Sequence, residues 1–314
     1  MNQILACASG ATYDAGMPSP HNGSYSPTIR RRRLSEELKR LRLAADLTLE
    51  EAADRLEWSR AKIANIETGK RKRPNVTDVD LLLTVYGITD DRQRQALLTL
   101  TRQAREKGWW TNYDDFLKGS YVGFEAEASM ISTYQWGAIP GLLQTRAYAA
   151  ASAQAALVPR DGVERVVEAR MRRQEILHRD VPPTLWAIID ESVVKRPAVA
   201  EDPAVMLEQL RYLVDIIEAT NSVTVQVLPL NKGLHAGTGG GFVLLEFANP
   251  LDRPIVYLET RSDDLYLEAD EELSDYRLVL DHLKGTALSP KDSLSYLTQL
   301  SKDDRVPDPR PDVR

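Results

Sequence analysis

Residues 48–69, TLEEAADRLEWSRAKIANIETG, have the spacing of two short helices joined by a tight turn, and their reading decides the first third of the chain. Thr48 followed three residues later by Glu51 is a capping box, each side chain satisfying a backbone N–H that a helix start leaves unpaired. A helix is therefore predicted from Leu49. Its apolar positions Leu49, Ala52, Ala53 and Leu56 share one face, and the two alanines let another helix approach closely. Glu57-Trp58 breaks the pattern. Ser59 is a second N-cap, Ile63 and Ile66 form a narrow apolar stripe, and Gly69 stands where a helix end favours positive φ. Arg60, Ala61, Lys62 and Asn65 are left facing outward.

That outward set matches what DNA base edges offer. Arg and Lys pair with guanine acceptors, Asn makes two hydrogen bonds to adenine, and Ala meets a thymine methyl. The competing reading is a solvated polar face, which amphipathic helices commonly present. In the pattern Leu47-Thr48, Ala53, Ser59, Ile63, Ile66-Glu67 and Gly69 the segment resembles the helix-turn-helix of the lambda-repressor-like (XRE-type) regulators. Leu49 departs from that family, which commonly has Gln there on a phosphate, so this contact is not carried over.

Charge supports a nucleic-acid partner at one end. Residues 28–75 hold 14 Lys and Arg against eight Asp and Glu, a local excess of +6 in a chain of formal charge −6. Two clusters carry much of it, Arg30-Arg31-Arg32-Arg33 before a helix expected over 34–45, and Lys70-Arg71-Lys72-Arg73 directly after the second helix of the motif. Cations on both sides of a groove-reading helix suit backbone positioning, so Arg31, Arg32, Thr48, Ser59, Lys70, Arg71 and Arg73 are expected at phosphates. A solubilising arm is the alternative for the first cluster.

Helices expected over 76–86 and 90–107 complete a five-helix domain, residues 30–107. Residues 1–29, rich in Ser, Gly, Pro and Ala, are expected to be a disordered extension, with Met17 as an alternative start; 303–314 is expected to be a disordered, Pro-rich tail. The single Cys7 excludes an internal disulfide framework, and no run approaches the roughly 20 apolar residues of a membrane helix. A cytoplasmic, nucleoid-associated protein is expected.

Residues 108–302 read as an α+β regulatory and dimerisation domain. The aromatic stretch 109–113 has no interleaved basic residues and reads as a packing joint rather than a stacking platform for bases. Helices are expected over 123–135, 140–157, 160–178, 203–220, 271–283 and 290–300. Apolar runs at 185–194, 223–230, 242–247 and 255–259, bounded by Pro, Gly and Asn, read as strands. The fold class is thus mainly α with an α+β C-terminal domain, a small, mainly antiparallel sheet flanked by helices.

The strings Phe124-Glu125-Ala126-Glu127-Ala128, Ile139-Pro140-Gly141-Leu142-Leu143-Gln144-Thr145, Arg170 to Gln174, Asp190-Glu191, Gln209-Leu210, Val227-Leu228-Pro229 and 242–247 resemble the C-terminal domain of the WhiJ-like, antitoxin-like regulators of actinobacteria. The resemblance implies a DNA-binding regulator, often paired with a small partner protein encoded beside it, and supplies no catalytic residue. His21, His178, His235 and His282 lie far apart with no metal-ligand spacing, and no nucleophile or cofactor motif appears, so no enzyme, metal or cofactor is expected. Gly237 to Gly241 lacks the Lys-Ser/Thr of a phosphate loop and leads into a strand; His235, Gly239 and Gly240 are the candidate ligand or partner contacts. The expected function is a homodimeric transcription regulator on a palindromic double-stranded operator, controlled through its C-terminal domain. An antitoxin-like module that sequesters a small partner and binds DNA only for autoregulation is the alternative.

Overall fold

The computed structural model describes residues 27–113, 120–200, 202–249, 252–260 and 264–302. Five helices form the N-terminal bundle: α1 (Pro27–Ala44), α2 (Leu49–Leu56), α3 (Arg60–Glu67), α4 (Val76–Val85) and α5 (Asp91–Ala104). Each later start is capped as its sequence dictates, Thr48, Ser59, Asn75 and Asp90 accepting a backbone N–H of the following turn. Glu57, with φ 55°, makes the left-handed reversal between α2 and α3. Leu34, Leu38, Ala52, Ile63, Val79, Leu82 and Leu83 meet in a core sealed from solvent.

A polar network runs through that core. The Arg42 guanidinium donates from Nε to both Glu67 carboxylate oxygens at 3.0 Å and from Nη1 to the Leu47 carbonyl at 2.7 Å. The Tyr86 hydroxyl donates to Glu67 Oε1 at 2.7 Å. Burial and this hydrogen bond push the Tyr86 phenol well above its ordinary pKa. Helices α1, α3 and α4 are thereby tied at one buried carboxylate.

The rest is a six-stranded sheet between helices. Its strands are β1 (Ala128–Gln135), β2 (Thr184–Asp190), β3 (Val223–Leu228), β4 (Phe242–Phe247), β5 (Ile255–Glu259) and β6 (Asp264–Leu267), in the order β3-β2-β1-β4-β5-β6. The pairs β1/β2 and β2/β3 are parallel; β1/β4, β4/β5 and β5/β6 are antiparallel. The sheet is therefore mixed, antiparallel in three of its five pairings. Helices α6 (Tyr121–Glu125), α7 (Arg146–Ala155), α8 (Arg160–Gln174), α9 (Glu191–Lys195), α10 (Pro203–Ala219), α11 (Asp270–Thr286) and α12 (Pro290–Lys302) surround it. Alternate strand residues serve two cores: Ile131, Leu185, Val225 and Leu245 pack with α10 and α12, while Tyr134, Ile188, Phe242 and Leu244 pack with α11. Strands buried on both faces lose the apolar-polar alternation, which is why they read as continuous apolar runs.

Three expectations are corrected here. The helix expected over 123–135 is the short α6 followed by β1. Phe124, Ala128, Ile131 and Tyr134 have helical spacing, but Ile131 and Tyr134 face opposite sides of a central strand. The strand β6 was not expected, and the strand expected to reach 194 ends at Asp190, whose carboxylate caps α9 by accepting the Ser192 N–H. Helix α1 begins at Pro27 rather than Leu34, so residues 27–29, assigned to a disordered extension, are its buried first turn. The remainder of that extension, 1–26, and the tail, 303–314, lie outside the described residues.

That first turn has a tertiary cause. Ile29 enters the core of the sheet domain. Arg33 pairs with the buried Asp252, and Arg32 bonds Glu268 at 3.0 Å and the Arg253 carbonyl at 3.0 Å. Trp110 packs with Val122 and Ala126, and the Arg172 guanidinium lies 4.7 Å from the Trp109 ring centre. One helix thus belongs to both cores.

Glu67→Ala leaves the Arg42 charge buried without its partner, at a cost of about 3–5 kcal/mol. Amide exchange in α3 and α4 should rise steeply while the sheet amides stay protected. Pairing Glu67→Leu with Arg42→Met should restore most of the protection, and equal exchange in the single and double variants would refute the assignment.

Candidate nucleic-acid interface

Helix α3 is eight residues long and exposed along one side. Its buried side is Ile63, Ile66 and Glu67, and its end is held down by the Ser35 hydroxyl, which donates to the Ile66 carbonyl at 2.7 Å. Gly69 follows with φ 69°, the left-handed turn that lets the chain leave the helix. The Arg71 N–H donates to the Asn65 carbonyl at 3.0 Å, folding the basic loop back against the helix.

Of the four residues expected to read bases, three lie on the exposed side. Ala61 and Asn65 are open to solvent. Arg60 Nε contacts Glu50 at 2.6 Å, but with both side chains more than half exposed the pair is worth at most about 1 kcal/mol and yields readily to another partner. Lys62 departs from expectation. Its ammonium sits 3.1 Å from Asp78 and 3.3 Å from the Trp58 ring centre, folded back along the bundle. An aromatic face and a largely buried carboxylate outcompete water for that cation.

The residues expected at phosphates divide similarly. Lys70 and Arg73 are exposed and form no ion pair among the described residues, while Arg71 reaches Asp78 at 3.5 Å. The Thr48 and Ser59 side chains each accept a backbone N–H, from Glu51 and Lys62, at the rim of the same face. Arg31 donates to the Lys72 carbonyl at 3.1 Å and so braces the basic loop from behind. Arg32 is spent on Glu36, Glu268 and the Arg253 carbonyl, which removes it from the phosphate set. Sequence spacing could reveal only Glu36, four residues on, because Arg253 and Glu268 lie more than two hundred residues away. It also missed Asp78 and Trp58, which immobilise Lys62; a carboxylate in the first turn of α4 reads simply as favourable to that helix end.

In the C-terminal unit, His235 accepts the Gly237 N–H at Nδ1 (3.1 Å) and meets Tyr134 edge to face, which fixes the turn locally. Gly240 has φ 117°, a conformation that demands glycine, while a Cβ on Gly239 would meet nothing within 4 Å. None of the three lines a cavity of about 630 Å³ that lies on the opposite face of the sheet among Ile131, Leu185, Val243, Tyr257 and helices α6 and α8. Two arginines one turn apart on α8, Arg170 and Arg173, reach that cavity. They appeared in the sequence within one of the resembling strings, but nothing local separated them from the other arginines of a highly charged helix.

Two family models match the chain. A helix-turn-helix domain covers residues 33–97, and the Domain of unknown function (DUF5753) covers residues 119–299. The chain belongs to the DUF5753 family. No curated protein and no solved structure matches it. The helix-turn-helix match takes in α2, α3 and most of the bundle around them, and points to DNA binding. Among the described residues no helix is long and apolar enough to cross a membrane.

The cap at the rim of this face is acid-sensitive. The Thr48 backbone N–H, and then its hydroxyl, hold the Glu51 carboxylate below its usual pKa of 4.5. A lowered folded-state pKa adds stability that is complete above 4.5 and disappears as pH falls through the lower value. Amide protection at the start of α2, taken relative to the intrinsic exchange rate at each pH, should therefore fall on acidification below that point. Glu51→Gln should flatten the dependence, and an unchanged acid limb would contradict the reading.

Proposed function

We propose that the chain is a sequence-specific, DNA-binding transcription regulator of the XRE type, in which α3 enters the major groove. The observation that carries this reading is the composition of one exposed face. Arg60, Ala61 and Asn65 stand on a helix capped by Ser59 and followed by the exposed cations Lys70 and Arg73. In this reading Arg60 leaves Glu50 for a guanine, Asn65 takes an adenine edge, and Ala61 contacts a thymine methyl. Thr48, Ser59, Lys70, Arg71 and Arg73 hold phosphates. Lys62 stays on Trp58 and Asp78 and positions the helix rather than reading a base.

A single eight-residue helix reads few base pairs, so the functional species is a two-fold dimer on a palindromic site with half-sites about 34 Å apart, one turn of DNA. The sheet domain supplies the control, through a ligand or a small partner protein. Its route to the DNA face is α1, whose first turn lies in one core and whose middle lies in the other.

Arg60→Ala and Asn65→Ala should each cost about 1–3 kcal/mol on the preferred operator and little on random duplex. Lys70→Ala and Arg73→Ala should weaken both duplexes alike and reduce the slope of log K against log salt by about one each. Operator selection from random sequence followed by titration at several salt concentrations measures both. Equal losses on specific and random DNA for Arg60→Ala would remove the base-reading role. A purified chain that ignores all duplexes at low salt would end the proposal.

A further inference from the structure

Helix α8 presents two arginines to the cavity of the sheet domain, and the two differ in one respect. Arg173 donates from Nε and Nη2 to the two oxygens of Glu125, at 2.8 and 2.7 Å, the side-on fork in which guanidinium and carboxylate match bond for bond. Glu125 is buried, and its charge holds the Arg173 pKa up against the burial that would lower it. Arg170, three residues earlier, donates only from Nη1, to the Gln144 side-chain oxygen at 2.9 Å and the Ala149 carbonyl at 3.3 Å. Among the described residues its Nε and Nη2 have no acceptor, and no carboxylate comes within ion-pair distance of it. Burial, and then the neighbouring Arg173 cation, lower its pKa, against a smaller opposing effect of the Glu259 carboxylate.

That unpaired edge has space in front of it. No fully buried side-chain nitrogen among the described residues lacks a partner, so the free edge of Arg170 is not sealed off, and Arg170 is part of the cavity lining. The cavity's size is that of a small-molecule site rather than of a few waters. Its walls are chemically divided. Arg170 marks the polar part, where the Arg173–Glu125 pair and the carboxylates of Glu259 and Asp264 also line the wall. Tyr121 and Tyr257, with ring centres 4.2 Å apart, line it together with Ile131, Leu185 and Val243.

We infer that this cavity is a binding site for a small organic carboxylate, whose anionic group takes the Nε/Nη2 edge of Arg170 and whose apolar body lies against Tyr121 and Tyr257. Arg173 with Glu125 is the same contact made within the protein. An uncharged ligand would leave the Arg170 edge unpaired; an ammonium could reach the exposed Glu259 but would meet the Arg170 cation, Glu125 being held by Arg173 and Asp264 accepting the Tyr257 hydroxyl. That occupancy bears on DNA binding rests on the regulator reading; the binding itself does not.

The test uses the full chain without DNA, titrated calorimetrically with phenylacetate, 4-phenylbutyrate and decanoate, and with the neutral amide of each. At least one carboxylate should saturate at one per chain, with its amide about tenfold weaker or more. Arg170→Gln should abolish that preference, whereas Arg172→Gln, which removes an exposed cation of the same helix, should leave it intact. If Arg170→Gln does not fold, the Arg170 Nε–H resonance of the unaltered chain should shift on adding the carboxylate and stay put on adding the amide. Equal affinity for acid and amide, a preference that survives Arg170→Gln, an unmoved Nε–H signal, or no saturation by any of the three carboxylates below about 10 mM overturns the assignment. A chain that takes up the carboxylate but ignores DNA sinks the regulator reading and leaves this one standing.

Discussion

One carboxylate shut away from water governs the geometry of the N-terminal bundle. Glu67 closes helix α3, and its charge is tolerable only because the Arg42 guanidinium covers both its oxygens and the Tyr86 hydroxyl donates to one of them. An isolated buried charge costs several kcal/mol, so the three groups form a unit with one acceptable arrangement. Because the unit spans α1, the end of α3 and the residue after α4, it fixes how far α3 projects and which of its sides faces out. The exposed Arg60, Ala61 and Asn65 inherit their positions from it.

A second constraint joins the bundle to the sheet. Helix α1 begins inside the C-terminal core at Ile29, passes its arginines across the junction and ends in the N-terminal core at Leu38 and Leu41. Arg33 on Asp252 and Arg32 on Glu268 place partly buried ion pairs at that crossing. Such pairs add little net stability but enforce register, because a shifted helix would strand charges without partners. On the other side of the cavity, Glu125 of α6 is clamped by Arg173, and Phe124 shares a core with Ile29. The cavity wall and the root of α1 are therefore parts of one packed body.

Charge has different uses in different parts of this chain. Of the cations after α3, Lys70 and Arg73 are exposed and form no ion pair among the described residues, whereas most of the arginine run in α1 spends its charge inside. Arg173 does likewise, and Arg170 lies between the two cases. Residue type alone does not separate them; the presence of a carboxylate or carbonyl at bonding distance does.

By itself the sequence determined the helix-turn-helix. Its signals are local: Thr48 with Glu51, Ser59, Gly69 and apolar residues three and four apart act within one or two helical turns, and the bundle keeps each of them. The twin apolar faces of β2 and β4 were legible for a similar reason, as unbroken runs between turn residues. Tertiary structure alone decided the rest. The spacing of Phe124, Ala128, Ile131 and Tyr134 fits a helix as well as a strand with two buried sides, and only neighbours on both flanks made 128–135 the middle of a sheet. Arg32 looks like a phosphate ligand until Glu268 arrives from the far end of the chain, and Lys62 looks outward until Asp78 and Trp58 fold it back. A local pattern fixes backbone hydrogen bonds a few residues apart; the partner of a long charged side chain is chosen by whatever the finished fold brings within about 3 Å of it.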